Sequence, residues 1–75
     1  MRCEPIMVQE KRWNYQPRRF LFRGYEQRVQ RVLHSWDVAA RWRRNARRYF
    51  EVWCVNGQRM RVIHDLQLNA WFVEA

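Results

Sequence analysis

The dipeptide Asn56-Gly57 is the local feature that most constrains the fold, because it separates two runs of β-type sequence. Tyr49 to Val55 is rich in β-branched and aromatic residues, and Arg59 to His64 begins with alternating basic and apolar side chains. Asn-Gly between two such runs is the strongest short-range signal of a β-hairpin, and both turn residues are then expected to adopt positive φ. We therefore predict an antiparallel hairpin here.

Alternation and turn residues predict further strands in the rest of the chain. Phe20 and Phe22 share one face of a strand that ends at Gly24, a residue suited to positive φ. The remaining predicted segments are a strand at 5–9 opened by Pro5, a loop at 10–17 containing Trp13 and Tyr15, a strand from 27 towards 33, a turn at 65–69, and a last strand at 70–73.

Short strands with local connections predict a meander that bends back on itself. The 75 residues are enough for one domain, 1–75. The predicted fold is all-β, with at most one short helix, as a small bent-sheet meander or a partly open SH3-like barrel. Large aromatic residues are expected to supply most of its core: Phe20, Phe22, Tyr49, Trp53, Trp71 and Phe72. Since Trp71 and Phe72 are adjacent in a strand, they point to opposite faces of the sheet. Both can be buried only if something covers the second face, such as a partner.

Residues 26–44 support two interpretations. Val29, Leu33, Trp36 and Ala40 recur at helical spacing, and no Gly or Pro interrupts residues 25–56. A strand over 27–36 separates apolar from polar residues poorly. We favour the strand, because the family resemblance described below implies a β-rich fold, and the helix remains the alternative.

Positive charge is concentrated in the middle of the chain. The formal net charge is +8, and fourteen of the fifteen cationic residues are Arg. Residues 27–48 contain seven Arg and one Asp, whereas residues 49–75 contain two Arg and three acids. Arg matches phosphate oxygens in a bidentate manner, and an aromatic residue within a basic segment is typical of single-strand and RNA binders.

This segment predicts contact with DNA or RNA. The candidate residues are Arg41, Trp42, Arg43, Arg44, Arg47 and Arg48, with Arg28 and Arg31 extending the patch if their element lies alongside. A basic segment is equally typical of a solvated surface, and Arg enrichment also follows from genomic composition. The alternative function is a protein-interaction or homodimerisation module.

No residue pattern indicates an enzyme, a cofactor or a metal site. Cys3, His34, Cys54 and His64 lack zinc-ligand spacing, and the two glycines are already assigned to turns. Cys3 and Cys54 are expected to be reduced thiols, with Cys54 in the core. No apolar run is long enough for a membrane span, and the N-terminus does not resemble a secretory signal, so a cytoplasmic location is expected.

Several elements together resemble a family of small bacterial domains of unknown function, found free-standing or fused behind proteins related to Y-family DNA polymerases. The matching elements are Glu4-Pro5-Ile6, Arg19-Phe20, Arg23-Gly24-Tyr25, residues 29–36, Trp42-Arg43, residues 48–52 and Trp71. The chain departs from the family pattern at Arg59 to Val62, where an aromatic and acidic strand is usual. The resemblance implies a β-rich fold and a link to DNA-damage tolerance, and it supplies no catalytic residue.

Overall fold

The computed structural model describes residues 3–11 and 16–74, which form a closed antiparallel barrel. Its strands are β1 (Cys3–Lys11), β2 (Pro17–Phe22), β3 (Tyr25–Val38), β4 (Arg47–Cys54), β5 (Arg59–Asp65) and β6 (Ala70–Glu74). Each strand pairs with the next one, and the pairing of β1 with β6 closes the barrel. The predicted all-β small barrel is confirmed. Nowhere in the described ranges is there a helix long and apolar enough to cross a membrane.

The first strand is longer than predicted. β1 begins two residues before the predicted strand at 5–9 and ends two residues after it. The predicted loop at 10–17 therefore contributes its first two residues to β1, and Pro17 already belongs to β2. The part of that prediction concerning Trp13 and Tyr15 lies outside the described residues.

The hairpin at Asn56-Gly57 is present, but its predicted turn geometry is wrong. Gly57 has φ of 87°, whereas Asn56 does not have positive φ. The amide of Gly57 donates to the carbonyl of Cys54 at 2.9 Å, and the Asn56 side chain accepts from the amide of Gln58 at 3.0 Å. These contacts are typical of a three-residue loop whose last residue is left-handed. The turn with two positive φ angles is Arg23-Gly24 instead, at 53° and 80°.

Residues 25–38 form one long strand, β3, so the helical alternative for this segment is not realised. Its pairing with β4 shifts register between Val29 and Arg31 and again between Val32 and His34. Each shift inserts one extra residue in β3, as a β-bulge does. Consequently Val29, Val32 and Ser35 face Cys54, Val52 and Phe50 at a spacing of three residues, which sequence alternation does not anticipate.

The barrel interior is filled by side chains from several strands. The buried cluster consists of Phe20, Val29, Phe50, Val52, Cys54, Val62 and Trp71. Cys54 is fully buried, as predicted, and its burial raises the pKa of the thiol. Since Phe50, Val52 and Cys54 face inwards, the alternate residues of β4 face outwards.

Three aromatic residues predicted for the core therefore lie on the outer surface of the sheet. They are Tyr49, Trp53 and Phe72, whereas Phe20 and Trp71 are buried and Phe22 packs against the core. Ile63 pairs with Tyr49 on one side and with Phe72 on the other, and it is only 2% exposed. On the outer surface, Ile63 therefore lies buried between Tyr49 and Phe72.

Candidate functional site

The loop between β3 and β4 contains a tight turn that presents Arg and Trp side chains to solvent. The backbones of Arg41 and Arg44 exchange two hydrogen bonds of 2.9 Å, which close a turn with Trp42 and Arg43 at its centre. Trp42 is 87% exposed, and the guanidinium carbon of Arg43 lies 5.8 Å from the centroid of its ring. We call residues 41–44 the hairpin tip.

Arg43 holds a backbone conformation that usually belongs to Gly or Asn. Its φ is 61°, while Trp42 does not have positive φ. An L-residue with a Cβ atom pays a steric penalty in this region, and such residues concentrate at functional sites. The turn thus places a cationic side chain where turn chemistry alone would favour glycine.

The base of the same loop is fixed to the turn between β5 and β6. The buried carboxylate of Asp65 accepts hydrogen bonds from the amides of Leu68 (2.9 Å) and Gln67 (3.1 Å) and from the side-chain amide of Asn45 (3.2 Å). The amide of Leu66 donates to the carbonyl of Ala46 at 3.0 Å. The backbone donation from Leu68 is the main cause that holds the pKa of Asp65 below its usual range.

Arginines away from the hairpin tip are largely neutralised by carboxylates. The ion pairs are Arg19 with Glu10 and Glu26, Arg23 with Glu4, Arg28 with Glu26, Arg48 with Asp37, Arg59 with Glu51, and Arg61 with Glu51 and Glu74. Within residues 3–11 and 16–74, six arginines have no carboxylate within ion-pair distance: Arg18, Arg31, Arg41, Arg43, Arg44 and Arg47. Three of these six, Arg41, Arg43 and Arg44, lie together at the hairpin tip.

The predicted site residues do not form one continuous patch. Arg41, Trp42, Arg43 and Arg44 lie together at the hairpin tip. Arg48 is held by Asp37, and Arg28 is held by Glu26. Arg47 is half-buried at the start of β4, opposite Asp65, and its Nε atom is buried.

Arg31 is well separated from the hairpin tip. It lies in the middle of β3, and the distance along that strand from Arg31 to Val38 is about 20 Å at the usual rise per residue. Arg31 is exposed and pairs across the strands with Trp53, which is 39% exposed. The structure thus separates the predicted residues into the hairpin tip and a second basic position beside an aromatic ring.

Sequence reasoning missed Trp53 as a surface residue because it was assigned to the core. A signal was present, since Val52 and Cys54 are apolar neighbours whose inward direction forces Trp53 outwards. The stacking of Trp36 on Tyr49, at 5.3 Å between centroids and 7° between planes, was hidden for another reason. It depends on the two bulges in β3.

The described residues contain no group of three His, Cys, Asp or Glu side chains that could hold a metal ion. His64 is buried against Trp71, with ring centroids 4.0 Å apart, and its Nε2 atom lies 2.8 Å from Oδ1 of Asn69. Both contacts fix the ring inside the barrel. His64 therefore serves packing and the turn at Asn69.

A comparison with protein-family models identifies the family of this chain. One model, described as Domain of unknown function (DUF6504), matches residues 2–72. The chain belongs to this family. The DUF6504 match includes β1 to β5, the start of β6 and the whole hairpin tip. No curated protein and no solved structure matched this DUF6504 chain.

Proposed function

We propose that this DUF6504 protein is a nucleic-acid-binding module whose hairpin tip contacts the phosphate backbone. The observation that carries the proposal is the combination of unneutralised Arg41, Arg43 and Arg44 with the exposed Trp42 in one tight turn. Guanidinium groups match phosphate oxygens, and an exposed aromatic ring offers a stacking surface for a base.

Charge distribution favours the hairpin tip over other surfaces of the barrel. The net charge of +8 attracts a polyanion at long range, and this attraction weakens as salt rises. At close range, an Arg already paired with a carboxylate has less to gain from a phosphate. The hairpin tip offers a phosphate three free guanidinium groups close together.

The rigid base of the loop also favours binding. Asp65 and Asn45 connect the loop to the neighbouring turn, so the hairpin tip does not have to be ordered entirely by its ligand. Preorganisation of this kind lowers the entropic cost of association. A binding role of this kind requires no catalytic group, and we propose that the module acts without enzymatic activity.

We further propose that the ligand is met in the cytoplasm. The resemblance to domains fused behind Y-family polymerases favours a setting of DNA-damage tolerance, with DNA as the ligand. This setting concerns the biological partner only. The chemistry of the hairpin tip applies to DNA and RNA alike.

A protein-interaction or dimerisation module is the second candidate. Met7, Val55 and Leu68 are each 65% exposed, which gives the barrel apolar surface for a partner. They belong to β1, the loop after β4 and the loop after β5, and single exposed apolar residues are common on monomers. Light scattering separates the candidates, because a salt-insensitive dimer would favour this one.

A charge-matched pair of variants tests the nucleic-acid proposal. Arg43→Gln/Arg44→Gln removes two free cations, whereas the control Arg23→Gln/Arg28→Gln removes two ion-paired ones. We expect the first variant to weaken binding of a labelled oligonucleotide about tenfold or more, and the control to weaken it far less. Equal losses in both variants would mean that net charge alone drives binding and would refute a site at the hairpin tip.

A further inference from the structure

The outward face of the β3–β4 pair carries aromatic residues at two positions along the strands. Its cross-strand pairs are Arg31 with Trp53, His34 with Glu51, Trp36 with Tyr49, and Val38 with Arg47. On the opposite face, Val32, Phe50 and Val52 contact the core. We call this outward face, from Arg31 and Trp53 to the hairpin tip, the ribbon track.

One end of the ribbon track combines a free cation with an exposed ring. Arg31, Trp53 and Gln30 line an open cleft of about 450 Å³. Next to it, a cleft of about 240 Å³ is lined by both Gln30 and Arg31 together with Arg18, whose Nη1 donates to the carbonyl of Val29 at 3.3 Å. A base stacked on Trp53 would bring its phosphate within reach of Arg31.

The middle of the ribbon track is a second aromatic position. Trp36 is 37% exposed and stacks on Tyr49, and the guanidinium carbon of Arg61 lies 5.3 Å from the centroid of the Trp36 ring. Along β4, Trp53 and Tyr49 are about 13 Å apart at the usual rise per residue. Beyond them, the chain leads to Trp42 at the hairpin tip.

The one carboxylate pointing outwards between these aromatic positions is neutralised. Glu51 accepts from Arg61 at 2.7 Å and from Arg59 at 3.0 Å, and the hydrogen bond from Arg61 is the main cause that lowers its pKa. The other carboxylate of this hairpin, Asp37, belongs to the opposite face of the sheet and is paired with Arg48. A polyanion lying on the ribbon track would therefore meet no unpaired negative charge.

We propose that the ribbon track binds single-stranded nucleic acid, with Trp53 and Trp36 stacking unpaired bases and Arg31 contacting a phosphate. This inference rests on the proposed function and specifies its ligand class. Bases in a duplex stack on one another and cannot use separated protein rings, whereas unpaired bases can. Small barrels that bind single strands in this manner cover about 4–16 nucleotides.

The test compares a 16-nucleotide single strand with a duplex of the same sequence, by fluorescence anisotropy at low salt. Trp53→Leu removes the stacking ring, and Tyr25→Leu is the matched control, because Tyr25 is 74% exposed and lies off the ribbon track. We expect Trp53→Leu to weaken single-strand binding about tenfold and to leave duplex binding within about twofold. The control should change neither. DNA and RNA single strands are titrated separately, and selective loss with either one supports the proposal.

A second variant keeps the test independent of folding. Arg31 is exposed, so Arg31→Gln should leave the thermal melt unchanged and reduce the salt slope for the single strand by about 0.7. The proposal for the ribbon track is wrong if Trp53→Leu binds the single strand as tightly as the wild-type protein does, or if it loses equal affinity for single strand and duplex. Either result would leave the proposed function intact. If the wild-type protein binds neither form at low salt, both proposals fail, and a protein partner becomes the hypothesis to pursue.

Discussion

Arg48 is bound to Asp37 across the β3–β4 pair, with Nε donating to Oδ1 at 2.8 Å and Nη2 donating to Oδ2 at 3.3 Å. The pair lowers the pKa of the Asp37 carboxyl, chiefly through the hydrogen bond from Arg48. Arg44, only four residues earlier, has no carboxylate within ion-pair distance in the described part of the chain. Two arginines of one basic segment thus differ in how much charge they can offer a ligand.

This difference predicts unequal effects of the same substitution. Arg44→Gln should weaken oligonucleotide binding about fivefold and reduce the salt slope, because it removes a free phosphate contact. Arg48→Gln should change affinity by less than about twofold, since Asp37 already neutralises that charge. Anisotropy titrations of both variants provide the measurement. A larger loss in Arg48→Gln than in Arg44→Gln would contradict the proposed site.

The carboxylate of Asp65 gives the barrel a pH-dependent contribution to stability. Its pKa is lowered in the folded state, so the unfolded chain binds more protons near that pKa and folding becomes stronger as pH rises. The contribution is fully present above the ordinary Asp pKa of about 3.9 and is lost as pH falls through the lower folded value. Asp65→Asn should therefore reduce the free energy of unfolding by about 1–2 kcal/mol at pH 7, and by little at the lowest pH.

Urea denaturation at several pH values measures this effect. Asp37→Asn is the control, because Asp37 forms an exposed ion pair, and exposed pairs contribute little. Equal losses for the two variants at pH 7, or a loss for Asp65→Asn that does not vary with pH, would refute the anchoring role of Asp65.

Backbone conformation at two turns predicts opposite effects on stability. Gly57 has φ of 87° and open space around a would-be Cβ atom, so Gly57→Ala should cost about 1 kcal/mol through backbone strain alone. Arg43 has φ of 61°, and Arg43→Gly should relieve strain and raise the free energy of unfolding by up to about 1 kcal/mol. Chemical denaturation measures both. Destabilisation by Arg43→Gly would show that the Arg43 side chain supports the fold.

The sequence specified most of the barrel because its turns are local. Gly24 and Gly57 both lie at positive φ, and the runs beside them form the expected strands. It left β3 ambiguous for a physical reason. Two bulges change the inward spacing from two residues to three, and the resulting separation of Val29 and Val32 is one that also occurs along one face of a helix.

The candidate site was predictable in composition but not in detail. The concentration of Arg between positions 41 and 48 is visible in the sequence. Which of these cations are free depends on cross-strand partners such as Asp37, eleven residues from Arg48, and pairing register is set by the whole sheet. The same holds for Trp53, whose direction follows from the burial of its neighbours.

The most direct test of the central claim is the affinity of the wild-type protein for a labelled 16-nucleotide single strand across a range of salt concentrations. Contacts from Arg41, Arg43, Arg44 and Arg31 predict a linear log–log plot with a slope of about −2 to −3. Absence of binding at low salt, or an affinity that does not change with salt, would contradict phosphate recognition by the hairpin tip.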